Sequence, residues 1–167
     1  MQNNHQAPQK KMVIGWFSFT CCEDSTIVFT ELLNKNLIDW KKIIEFKHIK
    51  ALKTKNEINN LDVAFIEGAI SSDTQAKEVQ KIRENAKYVV AIGACACTGK
   101  PSATRNEFTP KDITEKIKWY FEHFDYSKKV RKLDEVIKVD DYVNGCPMNV
   151  ESFTATIKKY LLLCNTK

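Results

Sequence analysis

The amino-acid sequence predicts an α/β protein built on an open parallel sheet with helices on both faces. Apolar runs of about five residues, a length typical of buried strands, recur along the chain. Segments whose apolar residues repeat at helical spacing lie between these runs. This alternation indicates crossover helices between parallel strands, and it brings the carboxyl ends of the strands to one edge of the sheet. Open α/β sheets bind their ligands at that edge.

The first half of the chain contains three predicted strands and one predicted helix. Residues 11–17 (KMVIGWF) form a short apolar run that ends in small and polar residues. Over residues 23–38 the apolar positions recur with a helical period. Residues 40–48 carry a second apolar run, and residues 62–66 (DVAFI) carry a third. The predicted order is therefore strand, helix, strand, strand.

The second half begins with a predicted helix at residues 74–86, which a capping residue in the segment 71–73 (SSD) precedes. Residues 88–92 (YVVAI) form a fourth buried strand that runs directly into Gly93. After a loop with two prolines, we expect three more elements. They are an amphipathic helix at 111–124, a short extra strand at 135–139 and a closing helix at 150–163.

Composition limits the classes of function. The chain has 167 residues, of which 43% are hydrophobic, as in a folded globular domain. Residues 1–11 are polar, and we expect a flexible tail there, followed by a single domain at residues 12–167. No apolar stretch is long enough to span a membrane, and no apolar signal core follows the tail. We therefore expect a cytoplasmic location without a direct membrane span.

The net charge is +5, and it comes almost entirely from lysine. A nucleic-acid-binding protein more often shows a concentrated basic stripe with arginine and interleaved aromatic residues. The densest basic run here, residues 128–132, is followed at once by Asp134 and Glu135. That pattern is typical of a solvated surface segment. We expect no nucleic-acid partner.

The chain contains six cysteines, and four of them follow a similar pattern. Cys21 and Cys22 follow the first predicted strand, Cys95 follows the fourth, and Cys146 precedes the last helix. Because parallel strands end at one edge, four thiols from three separate loops should meet there. In the reducing cytoplasm, clustered cysteines are more often metal ligands or redox groups than disulfides. These four residues are the candidate site.

Four thiolates suit either zinc or an iron–sulfur centre. Structural zinc sites usually draw ligands from C-x-x-C pairs, which this sequence lacks, whereas cysteines from separate loops fit the corners of a cubane cluster. The residues alone favour iron–sulfur and leave zinc open. Of the two other cysteines, Cys164 lies among leucines and is expected to be a buried free thiol. Cys97 is a spare thiol beside the cluster, an alternative ligand, or simply a buried residue.

Short blocks of sequence surround the four cysteines, namely residues 20–23 (TCCE), 93–96 (GACA) and 145–147 (GCP). Together with residues 65–72 (FIEGAISS) and 105–108 (RNEF), they resemble a known family. It contains the small subunit of nickel–iron hydrogenases and the cluster-bearing small subunit of respiratory complex I. The resemblance spans about residues 12–160, and the order and spacing of the blocks are more specific than any single block.

The resemblance implies a flavodoxin-like fold with one 4Fe-4S cluster on Cys21, Cys22, Cys95 and Cys146. Cys95 and Cys146 match the third and fourth ligands of the family. Most hydrogenase small subunits have C-x-x-C at the first two ligands, but here Phe19 stands in the place of the earlier cysteine. The adjacent pair Cys21-Cys22 looks instead like the complex I member, so Cys22 is a firmer assignment than Cys21.

The resemblance also implies an oxidoreductase subunit whose active site lies on a partner. We expect the small subunit of a cytoplasmic nickel–iron hydrogenase, which passes electrons to or from a large subunit and further electron-transfer subunits or carriers. Two alternatives stay open. One is the cluster-bearing subunit of a complex-I-like or membrane-associated assembly, and the other is a zinc-stabilised interaction module. Glu23 and Glu67 lie near the predicted site, where they are either solvated or able to assist proton movement or docking.

Overall fold

A five-stranded, all-parallel sheet forms the centre of the computed structural model, which describes residues 10–165. Its strands are β1 (Met12–Ser18), β2 (Ile44–Ile49), β3 (Leu61–Glu67), β4 (Ala86–Ile92) and β5 (Asp141–Val143). They lie in the order β2-β1-β3-β4-β5, and each neighbouring pair is parallel. This is the strand order of the flavodoxin-like fold, so the predicted fold class is confirmed.

Five α-helices within residues 10–165 connect and cover the strands. They are α1 (Asp24–Ile43), α2 (Asp73–Glu84), α3 (Gly93–Thr98), α4 (Glu115–His123) and α5 (Val150–Asn165). Four of them lie where the periodicity predicts a helix. The short helix α3 occupies a segment expected to be a loop, because Gly93 takes a positive φ of 78° directly after β4 and lets the chain turn into a helix at once.

The predicted extra strand at residues 135–139 is wrong. Leu133–Glu135 form a 3₁₀ turn, and the strand that pairs with β4 begins at Asp141. Apolar residues of the predicted strand, such as Ile137, pack against the core from a loop instead. The chain reaches the edge of β4 at Asp140, whose carboxylate accepts hydrogen bonds from Val89 N at 2.8 Å and from the Arg83 side chain at 2.7 Å. The strand predicted at residues 40–48 likewise starts later, because α1 continues to Ile43.

The sheet separates two apolar cores. One contains Trp16 together with residues of α1 and α5, including Phe29 and Phe153. The other contains Phe17 and residues of α2, including Val79. Successive residues of β1 therefore face opposite cores, as strand geometry requires. Both Trp16 and Phe17 are buried.

Most of the predicted tail, residues 1–9, lies outside the described residues, as do residues 166–167. The division into a tail at 1–11 and one domain at 12–167 stays a prediction. None of the helices within residues 10–165 combines the length and the apolar character that a membrane crossing requires.

Replacing Phe153 with Ala tests the aromatic core. Phe153 is fully buried, and its ring meets those of Trp16, Phe29 and Phe65 at centroid distances of 5.9, 5.9 and 5.5 Å. Because the change leaves a cavity, we expect the free energy of unfolding to fall by ~3–5 kcal/mol. Urea denaturation measures this. Ile38→Ala is the control, because Ile38 is 78% exposed, and its change should stay within ~0.5 kcal/mol. Equal losses in the two variants would contradict the assigned core.

Candidate metal centre

Three loops at the carboxyl edge of the sheet carry the four predicted ligands. Cys21 and Cys22 lie between β1 and α1, Cys95 lies in α3 directly after β4, and Cys146 lies between β5 and α5. All four line one small cleft, which we call the cysteine cleft. Its other lining residues are Asp24, Ser25, Glu67, Ile92, Gly93, Ala94, Gly145 and Pro147.

The four cysteines differ in exposure. Cys95 is buried, Cys21 is half-buried, and Cys22 and Cys146 are exposed. The cysteine cleft therefore has a protein-covered side at Cys95 and an open side at Cys22 and Cys146. A group bound there would be held from inside the protein and reachable from outside it.

Hydrogen bonds tie the cysteine-bearing loops to one another. Ala94 N, at the start of α3, donates to Gly145 O at 2.7 Å. Met148 N donates to the Ser25 hydroxyl at 3.2 Å, which joins the Cys146 loop to the start of α1. Gly145 has a φ of 126°, and a Cβ added there would lie 2.5 Å from Pro147 O. A side chain at Gly145 would therefore displace the loop that carries Cys146.

A second set of contacts joins the Cys21 loop to the residues that follow β3 and to those that follow α3. Thr20 and Ala69 exchange backbone hydrogen bonds of 3.0 and 2.9 Å. The Ser102 hydroxyl lies 3.1 Å from Thr20 O and 3.3 Å from Cys95 Sγ. Sequence reasoning missed Ser25 and Ser102, because an isolated serine in a loop carries no periodic or motif signal.

Glu67 is buried at the end of β3, with 3% of its surface exposed. Its carboxylate accepts hydrogen bonds from Ser25 N at 3.1 Å and from the Thr26 hydroxyl at 2.6 Å. Thr26 in turn accepts a hydrogen bond from Trp16 Nε1 at 2.8 Å. These bonds fix the start of α1, next to Cys22. Glu67 is therefore not the solvated residue that one interpretation of the sequence allowed.

Glu23 behaves differently. It is exposed, precedes α1 with a left-handed φ of 63°, and makes no side-chain capping hydrogen bond. For this glutamate the solvated interpretation agrees with the geometry.

Burial changes the acidity of two thiols in this region. It raises the pKa of Cys21 to about 12, with a further contribution from the negative charge of Glu67. It also raises the pKa of Cys97 to about 11. A metal centre deprotonates the thiols that coordinate it, so a high pKa in the free protein does not separate ligands from non-ligands. Position does.

Cys97 and Cys164 lie away from the cysteine cleft. The Cys97 thiol is 3.6 Å from Ala91 O and packs against the core on the α2 side of the sheet. Cys164 packs against the opposite core, which contains Trp16. Of the three interpretations of Cys97, the one that takes it as simply buried agrees with this position. Cys164 is partly buried against its core, as its position among leucines predicts.

The donor set fits an iron–sulfur cluster. Within residues 10–165, no three His, Cys, Asp or Glu side chains are gathered closely enough to hold a single metal ion. The four thiols instead surround a cleft and approach it from three loops. Four thiols from three loops around one cleft are a donor set that an iron–sulfur cluster can use.

Comparisons with known proteins give the family. The model of the "NADH ubiquinone oxidoreductase, 20 Kd subunit" family matches residues 21–160. A subunit of the F420-non-reducing hydrogenase of Methanothermobacter thermautotrophicus is 29% identical over 155 residues, which cover 83% of this chain and 49% of that protein. A subunit of the NADH-quinone oxidoreductase of Aliarcobacter butzleri is 31% identical over 101 residues, 59% of this chain and 46% of that protein. The chain thus spans about half the length of these relatives.

The fold also matches a solved structure. A chain in the crystal structure of an NAD+-reducing NiFe hydrogenase in the H2-reduced state superposes with a TM-score of 0.79 and 22% sequence identity. The match covers 92% of both chains. Since the family model covers most of this sequence, including all three cysteine-bearing loops, the resemblance inferred from the cysteine motifs is confirmed. The chain belongs to the family of the NADH–ubiquinone oxidoreductase 20 kDa subunit and the nickel–iron hydrogenase small subunit.

Proposed function

We propose that this protein is an electron-transfer subunit with one 4Fe-4S cluster on Cys21, Cys22, Cys95 and Cys146. It serves the catalytic large subunit of a cytoplasmic nickel–iron hydrogenase. The observation that carries the proposal is the placement of these four thiols around one cleft. When bound, the cluster supplies one-electron redox chemistry. Membership of a family of oxidoreductase subunits supports the proposal.

The protein positions and shields the site. Cys95 is buried and anchors the covered side of the cysteine cleft, while the Glu67 hydrogen bonds hold the start of α1 beside Cys22. The exposed Cys22 and Cys146 mark the side from which a partner approaches. A large subunit seated over them excludes water and shortens the path of the electron to its own redox centre.

An exposed aromatic surface next to the cysteine cleft supports the proposal that a large partner subunit docks there. Its five side chains are each 41–51% exposed: Phe108, Trp119, Tyr120, Phe124 and Tyr126. A groove lined by Phe108, Tyr120 and Tyr126 extends to Thr20 and Ser102, both of which adjoin the cysteine loops. Contiguous apolar surface of this kind marks interaction sites. We assign it to the large subunit, with further electron-transfer subunits or carriers completing the relay.

A second candidate is the cluster-bearing subunit of a complex-I-like or membrane-associated assembly. The adjacent pair Cys21-Cys22 favours it, as does the similarity to the NADH-quinone oxidoreductase subunit of Aliarcobacter butzleri. Hydrogen uptake by the protein assembled with its large subunit separates the two candidates. Hydrogen uptake supports the hydrogenase subunit. Quinone reduction without hydrogen uptake supports the subunit of a complex-I-like or membrane-associated assembly.

Metal analysis tests the cluster itself. We expect protein purified without oxygen to contain about four iron atoms and four sulfides per chain, because a cubane cluster has that composition. Absorbance, chemical assay and electron paramagnetic resonance of the reduced protein measure this. A colourless protein with stoichiometric zinc and no sulfide would instead support the zinc-stabilised interaction module.

Replacing single cysteines tests the ligand set. Cys95→Ser should abolish cluster assembly, because it removes the buried ligand of the cysteine cleft. Cys97→Ser is the matched control in the same helix, and it should load iron and sulfide like the wild type, since its thiol bonds to Ala91 O away from the cleft. Iron and sulfide content of the two variants is the measurement. Loss of iron and sulfide in Cys97→Ser but not in Cys95→Ser would assign the ligand role to Cys97 instead of Cys95.

Replacing Trp119 and Phe124 together with Ser tests the aromatic surface. We expect at least about tenfold weaker binding of a co-expressed hydrogenase-type large subunit, because exposed aromatic anchors dominate the binding energy of interfaces. Cluster content should not change. Ile38→Ser is the control, since Ile38 is 78% exposed on α1. Unchanged affinity in the double variant would rule out this surface as the docking face.

A further inference from the structure

Ser102 occupies a junction between two cysteine-bearing loops. It is the first residue of the 3₁₀ turn Ser102–Glu107, which follows α3. Its hydroxyl oxygen lies 3.3 Å from Cys95 Sγ and 3.1 Å from Thr20 O. The side chain therefore touches a predicted cluster ligand directly, and it touches the backbone next to Cys21.

The Ser102 hydroxyl has one proton and two acceptors within reach. Thr20 O already accepts a hydrogen bond from Ala69 N at 2.9 Å. If the hydroxyl turns towards Cys95, Thr20 O keeps a partner, so the change costs little. A thiolate is charged and attracts the proton more strongly than a neutral carbonyl does. Since Cys95 is buried, little water competes for its sulfur.

Other contacts hold the turn in place. Ala103 N donates to Gly99 O at 2.7 Å, and the Thr104 hydroxyl donates to Pro101 O at 2.7 Å. Asn106 exchanges two hydrogen bonds of 2.8 Å with the backbone of Val130. The position of the Ser102 hydroxyl therefore does not depend on its contact with Cys95.

We propose that Ser102 donates a hydrogen bond to the Cys95 thiolate and thereby raises the reduction potential of the cluster. This inference rests on the proposed function. Reduction adds one electron, supplied by the redox partner or by an added reductant, and places more negative charge on the sulfurs. The hydrogen bond strengthens with that charge and so stabilises the reduced state. No covalent bond forms or breaks, and the proton stays on Ser102, which is a positioning residue.

A redox titration of Ser102→Ala tests the proposal. The isolated protein carrying its cluster is titrated with dithionite and mediators, and electron paramagnetic resonance follows the reduced form. We expect a lower potential in the variant. At a fixed potential the ratio of reduced to oxidised cluster should fall on the order of threefold to tenfold, and a tenfold change equals about 59 mV for one electron.

Two controls separate the hydroxyl from the packing of the turn. Thr104→Ala removes a hydroxyl from the same turn, but that hydroxyl bonds to Pro101 O and not to a thiol. The reduction potential of the Thr104→Ala variant should match that of the wild type. Ser102→Thr and Ser102→Val have nearly the same shape, and only Thr keeps a donor. The Thr variant should keep the wild-type potential, while the Val variant should shift like Ala.

Each outcome decides the proposal. A wild-type potential in the Ala and Val variants, with the cluster loaded, overturns it. If Ala and Val both fail to load iron while Thr loads, the hydroxyl serves assembly, and the tuning role is overturned. A wild-type protein that forms no cluster sinks the proposed function and this inference together, and metal analysis shows that before any titration begins.

Discussion

The parallel direction of β1, β3, β4 and β5 is the constraint on which the candidate site depends. Parallel strands end at the same edge, so the residues that follow them meet even though they lie far apart in the chain. Cys21 and Cys22 follow β1, Cys95 follows β4, and Cys146 follows β5. The strand between β1 and β4 ends in Glu67, whose buried carboxylate holds the start of α1 through Ser25 and Thr26. Sheet topology and one buried carboxylate together place the four cysteines.

The cysteine cleft is asymmetric, and the asymmetry matches the task of an electron relay. On its covered side the protein surrounds Cys95 and presents the Ser102 hydroxyl to it. On its open side Cys22 and Cys146 are exposed. The chain controls the environment of the site from within and leaves its outer side exposed. An electron relay needs a controlled environment and an accessible side. Local hydrogen bonds set its reduction potential, and the distance to the next redox centre sets its rate.

The 3₁₀ turn Ser102–Glu107 connects the site to the aromatic surface. It begins at Ser102 and contains Arg105, whose guanidinium lies 5.1 Å from the ring centroids of Phe121 and Tyr126. Arg105 also donates to Ser71 O at 3.3 Å and to Ser127 O at 3.0 Å. One short turn thus supports the hydroxyl next to Cys95 and the segment that exposes aromatic rings. Under the proposed function, a partner that docks on those rings therefore packs against the same turn that carries Ser102.

The sequence alone determined the order of most strands and helices, because the spacing of apolar residues records which side chains are buried locally. It also placed the four cysteines at strand ends, so they could be predicted to meet. The tertiary structure decided the position of β5 at Asp141–Val143, the separation of Cys97 from the cysteine cleft, the burial of Glu67 and the contact between Ser102 and Cys95. The position of β5 and the burial of Glu67 depend on residues distant in the chain that folding brings together. The contacts of Cys97 and Ser102 join residues only six and seven positions apart, and the direction of α3 and of the turn that follows it decides them.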